Sequence, residues 1–126
     1  MEKYELGLKK KSFSLFFNGG EIWCEHLDSL YNEKELLKQK FNQDLVQISR
    51  PSTSSFVVID LDESDVDREI LELIINDFIM LKKPLRKVVF VGLNSKMKSY
   101  IKMRNIDTSF SMACIDDFEK AKMWLI

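Results

Sequence analysis

The stretch FVVIDLDESDVDREI, residues 56–70, runs an unbroken apolar segment directly into a row of acids. Its first half decides the fold. A strand buried on one face alternates apolar and polar residues, whereas a short continuous apolar run marks a strand covered on both faces, the pattern of parallel sheets. Towards the C-terminus, Val66 to Leu81 predicts a long apolar helix ended by KKP, because Pro84 disfavours helix at the residue before it. RKVVFVG (86–92) predicts a second buried strand. NSKMKSYIKM (94–103) predicts an amphipathic helix capped by Asn94 or Ser95. SFSMACI (109–115) predicts a third strand, with Cys114 as a small core residue. DDFEKAKMWLI (116–126) predicts a closing helix with Phe118, Ala121, Trp124 and Leu125 turned inward. Towards the N-terminus, SRPSTSS (49–55) is a loop of turn formers. YNEKELLKQKF (31–41) predicts a helix with Leu30, Leu37 and Phe41 on one face, Asn32 as cap and Glu35 completing a capping box. KSFSLFF (11–17) predicts a strand closed by the turn formers NGG, and Tyr4 to Leu8 a further edge strand.

Strands and helices that alternate with short connections imply parallel strands and right-handed crossovers. The expected fold is α/β, one domain over 1–126, with a mixed, mostly parallel sheet of four to five strands and about four helices. Residues 1–48 supply N-terminal strands and the first helix, 49–55 a loop, and 56–126 a βαβαβα half. The C-terminal ends of parallel strands share one edge, where ligand sites of open α/β sheets form. Asp60 and the acids after it, Asn94 with Ser95, and Asp116 with Asp117 are expected there.

The chain has 126 residues, 45% hydrophobic and 31% charged, which suits a globular domain rather than a disordered one. A formal net charge of −1 supplies no global field for nucleic acid. The N-terminus lacks the apolar core of a signal peptide. ILELIINDFIMLKKP (70–84) is too short and too polar, with Glu72, Asn76 and Asp77, to span a bilayer. The expected location is the cytoplasm. Cys24 and Cys114 have no metal or redox spacing. In WCEH, Cys24 and His26 are two ligands, short of a tetrahedral zinc site. No metal and no cofactor is expected.

DLDESDVDREIL begins like a calcium loop, with Asp60, Asp62 and Ser64 at its first, third and fifth positions. Asp65 then stands where glycine must turn the chain, and Leu71 where a bidentate glutamate is needed, so the calcium reading fails. VVIDLDES resembles the first motif of haloacid-dehalogenase-type phosphohydrolases. That resemblance implies Asp60 as nucleophile, Asp62 as acid–base, Asp116 and Asp117 for magnesium, and Ser95 with Lys96 for the phosphate. Glu63 replaces the glycine usual in that motif, and Val66 leads into a helix with no room for the family's cap.

The second half is similar in order and spacing to a STAS domain, the fold of anti-sigma-factor antagonists and sulfate-transporter tails. FVVIDLDES corresponds to its central strand, KVVFVGLNSKMKSYIKM to its next strand, turn and helix, and FSMACIDDFEKAKMWL to its last strand and helix. The family's pattern Asp-x-x-x-Ala-x-x-x-Leu recurs there as Asp117, Ala121 and Leu125. The resemblance implies a non-enzymatic regulatory module acting through protein–protein contact. Regulatory members carry a phosphorylated serine at the start of the helix after the central strand. Here Arg68 or Glu69 takes that position and neither has a hydroxyl, so the switch does not carry over. The expected partner edge is Asp62, Glu63, Ser64, Asp65, Asp67, Arg68, Glu69, Asn94 and Ser95.

Residues 60–72 contain seven acids and one arginine, and residues 82–104 eight Lys or Arg and no acid. Acids at a helix start and cations at its end suit the helix macrodipole, which accounts for much of this pattern. The remainder implies an acidic upper edge that meets a basic partner of unknown identity. Lys82, Lys83, Arg86 and Lys87 form a small lower patch for a minor membrane-surface contact. The 66–81 helix carries two apolar stripes. Val66, Ile70, Leu73, Ile74 and Leu81 suit the sheet. Leu71, Ile75, Phe78 and Ile79 form a second stripe, which either packs under the N-terminal or the closing helix within one chain or, the favoured reading, meets a copy of itself in a homodimer.

Overall fold

The computed structural model describes residues 11–105 and 107–126; the expected strand at Tyr4 to Leu8 lies outside them. β1 (Phe13–Phe17) turns through Asn18 and Gly19 into β2 (Gly20–His26). Both turn residues have positive φ, 51° and 82°, the geometry that keeps a two-residue hairpin in step with strand twist. α1 (Lys34–Ile48), β3 (Phe56–Asp60), α2 (Arg68–Ile79), β4 (Lys87–Val91), α3 (Ser95–Arg104), β5 (Ser111–Cys114) and α4 (Phe118–Leu125) follow. The sheet runs β1-β2-β3-β4-β5. β1 is antiparallel to β2 and every other pair is parallel.

Because each crossover steps one strand in the same direction, α1, α2 and α3 share one face. Val57, Ile59, Val88 and Phe90 bury against them. The opposite face carries Ile22, Cys24, Val58, Val89 and Val91 under Ala121 and Leu125 of α4. β3 and β4 are thus covered on both sides, as their apolar runs require.

Four local expectations change. β2 is a full strand that sequence patterning did not single out, because Glu25 interrupts its apolar run. Glu25 is nonetheless wholly buried. The Trp23 indole N–H donates to its Oε1 at 2.8 Å, and burial together with the adjacent Asp44 pushes the Glu25 carboxyl well above the usual carboxylate range. α1 has no capping box: its N-cap is Glu33, without a side-chain cap bond, since Tyr31 sits at φ 47° and is bridged to Ser64. α2 is shorter than Val66 to Leu81. Asp67 is extended and accepts the Ile70 N–H at 3.0 Å, which starts the helix there. The second stripe of α2 is not a surface: Leu71, Ile75 and Phe78 are buried within the chain and only Ile79 stays 44% exposed. Phe41 of α1 packs edge-on against Phe78. The surface expected to form a homodimer is therefore core.

Asp67 also pairs with Lys34. Asp67→Ala is expected to cost about 1 kcal/mol through the lost cap, and Asp67→Asn less, because the amide oxygen still caps. The hydrogen bond from Lys34 holds the Asp67 carboxyl below its ordinary value. That part of the stability is present above the unfolded carboxylate pKa and is lost as pH falls through the folded one. Urea titrations at neutral and acid pH should show the acid-side loss in the wild type and its reduction in Asp67→Asn.

Candidate functional site

The C-terminal ends of β2, β3 and β4 open onto one upper edge. Two loops build most of it: 27–33 after β2 and 61–67 after β3. Backbone bonds stitch them together, from Ser29 N–H to Asp62 O (2.7 Å), Tyr31 N–H to Glu63 O (2.8 Å) and Asp65 N–H to Tyr31 O (2.6 Å). Ser64 locks the seam. Its hydroxyl accepts the Leu30 N–H at 3.0 Å and donates to Leu27 O at 2.5 Å. Ser29, Tyr31 and Glu63 all have positive φ, a strained state for residues with side chains. The result is a hollow of about 440 Å³ lined by Tyr31, Asn32, Glu63, Ser64 and Asp65. Tyr31 forms its aromatic wall and is 60% exposed.

The expected partner edge divides by task. Glu63 and Asp65 are exposed at the hollow's side, Asp62 is exposed beside Gly92, and Glu63 also accepts from the Ser29 hydroxyl at 3.1 Å. Asp67 caps α2. Arg68 lies 4.9 Å over the Tyr100 ring, and Glu69 pairs with Lys38 at 3.0 Å. Asn94 caps α3 through the Met97 N–H at 2.9 Å; Ser95 is exposed beside it. Ser64 is spent on the seam rather than turned outward. On the lower edge, Lys83 donates to the carbonyls of Thr53 and Ser54. Lys87 lies over the Trp124 ring and donates to its carbonyl, and Arg86 lies over Phe56.

Between β2 and α4 the same edge holds a second constellation. His26 Nδ1 lies 3.1 Å from Asp28 Oδ1 and 3.8 Å from Asp60 Oδ2. The imidazole is stacked between Phe13 and Phe118, with centroids 5.8 and 5.7 Å away. Asp60 Oδ1 accepts the Asp62 N–H at 3.1 Å. Burial raises the Asp60 carboxyl to about 6; the Asp62 amide and His26 oppose that rise, and the Asp28 and Asp62 carboxylates add to it. Sequence reading paired His26 with Cys24. The structure turns that around: Cys24 is buried among apolar residues, which push its thiol up to about 11, and two aspartates meet the histidine instead. The sequence signal for Asp28 is weak: a residue two places on from His26 shares its side only if the chain stays extended past the strand end. For Tyr31 there is none, since nothing in its neighbours signals positive φ.

Asp116, by contrast, pairs with Lys98 and accepts the Gly92 N–H at 3.3 Å. β4 separates β5 from β3, so the two acidic pairs of the phosphohydrolase pattern stand on strands that are not neighbours. Comparison with protein-family models, curated proteins and solved structures gives no match.

Proposed function

We propose that the protein is a non-enzymatic binding module of STAS-like type, working in the cytoplasm, whose upper edge takes a basic segment of a partner protein. The observation that carries this is the hollow at Tyr31: an exposed aromatic ring, carried on a backbone of positive φ, set beside the carboxylates of Glu63 and Asp65. A lysine or arginine side chain satisfies both features, through the ring face and the carboxylates together. Strain of this kind persists only where surrounding structure enforces it, and here the Ser64 seam does so. With Arg68 and Glu69 lacking a hydroxyl, the family's serine switch has no acceptor at that position. No helix among the described residues is long and apolar enough to cross a membrane.

Arrays of immobilised peptides test this. Lys/Arg-rich peptides should bind, with affinity falling as salt rises, while neutral and acidic peptides of equal length should not. Tyr31→Ala and the double change Glu63→Lys, Asp65→Lys should each weaken binding by roughly tenfold, about 1.4 kcal/mol. Equal binding of acidic and basic peptides, or no effect of the double change, would remove the proposal.

A further inference from the structure

We propose that His26, Asp28 and Asp60 bind a single divalent transition-metal ion of the zinc type, independently of the peptide-binding hollow. One donor atom from each residue lies within 4.8 Å of the other two. A zinc ion with ligands at 2.0–2.2 Å sets tetrahedral donors about 3.3 Å apart. The separation of 3.1 Å between His26 Nδ1 and Asp28 Oδ1 is close to that, and the 3.8 Å to Asp60 closes with a small side-chain rotation.

The surroundings hold the donors in place. Phe13 and Phe118 clamp both faces of the imidazole, so its ring plane is set and its edge faces the carboxylates. The His26 N–H donates to Ser12 Oγ at 2.9 Å, which anchors the end of β2. The Asp62 N–H occupies Asp60 Oδ1 and leaves Oδ2 turned towards the ring. Outer contacts of this kind orient metal ligands. The side chains of His26, Asp28 and Asp60 are 14%, 4% and 13% exposed, so an ion reaches them from the upper edge while water competes little.

A histidine that only completes its hydrogen bonding needs one acceptor at Nδ1. Here two carboxylates converge on that nitrogen, an arrangement that a cation shared by the three donors also satisfies. Mixed imidazole and carboxylate donors suit zinc, manganese or cobalt over magnesium and calcium, which prefer oxygen alone. Three protein ligands leave a further coordination position for water or a ligand group.

The chain contains one histidine, so its imidazole resonances need no assignment by mutation. Titrating metal-free full-length protein with zinc chloride, followed by calorimetry and by ¹⁵N–¹H spectra of the imidazole, should show one ion per chain and a large shift of the Nδ1 resonance. Asp60→Asn should lose at least about tenfold in affinity; it keeps an acceptor for the Asp62 N–H, so the fold is retained. Cys114→Ser and Asp116→Asn should bind as the wild type does. Absence of saturable binding, binding that leaves the His26 resonances unmoved, or unaltered affinity in Asp60→Asn would each overturn the site.

Discussion

Phe78→Ala is expected to lower stability by about 3–5 kcal/mol and to leave the mass of the particle in solution unchanged. Phe78 is 2% exposed. Its ring meets Phe41 of α1 at 5.6 Å and Phe110, just before β5, at 6.3 Å, both edge-on. Truncation would therefore open a cavity where α1, α2 and the sheet join, and would remove two aromatic contacts together. Urea unfolding measures the loss, and light scattering at micromolar concentration measures the mass. A cost below 1 kcal/mol together with a halved mass would return this ring to an interface between copies. The same comparison applied to Ile79, the exposed member of its stripe, should give an effect within about 0.5 kcal/mol.

Phe78 also shows where sequence reading stops. Its helical spacing placed it on a second apolar stripe, and the stripe exists. Spacing describes one helix at a time, however. Whether a stripe meets solvent, a copy or a neighbouring helix depends on how the helices dock, and here Phe41 of α1 lies against it. Patterning ended α1 at Phe41, but the helix continues to Ile48 and buries that residue too. By contrast, β3, β4 and β5 were legible, because runs such as Val57, Val58 and Ile59 can be buried only by cover on both faces. The closing helix was legible because Asp117 caps it, accepting from Glu119 and Lys120, and because Ala121 and Leu125 repeat on one side.

The upper edge was legible only in outline. The acids after Asp60 were expected there and are there. Their division of labour follows from contacts between loops far apart in sequence, such as Ser64 with Leu27 and Leu30, or Lys34 with Asp67. No local pattern encodes those. Within its own segment His26 has only Cys24 as a second candidate ligand, an incomplete zinc set. The partner on β3 reaches it through strand pairing, with His26 opposite Asp60 in the parallel register.

Gly92→Ala is expected to cost about 3 kcal/mol, from backbone strain and steric overlap together. Gly92 follows β4 directly at φ 92°, and a methyl group there would stand 2.5 Å from Asp62 Oδ1, 2.7 Å from the Asp62 nitrogen and 2.8 Å from its Cα. The obstructing atoms are mostly backbone, so a rotamer change cannot clear them. Gly19→Ala supplies the control. It has a similar φ of 82°, but an added Cβ there meets nothing within 4 Å, so strain alone should cost about 1–2 kcal/mol. The difference between the two variants isolates the close approach of the β4 end to the Asp62 turn. That turn carries the amide that orients Asp60 and leads into Glu63 and the hollow at Tyr31. Gly92→Ala should therefore weaken both zinc and basic-peptide binding in protein that remains folded, whereas Gly19→Ala should leave both intact. Equal stability losses in the two glycine variants, with both ligands still bound as in the wild type, would show that the Asp62 turn does not depend on Gly92.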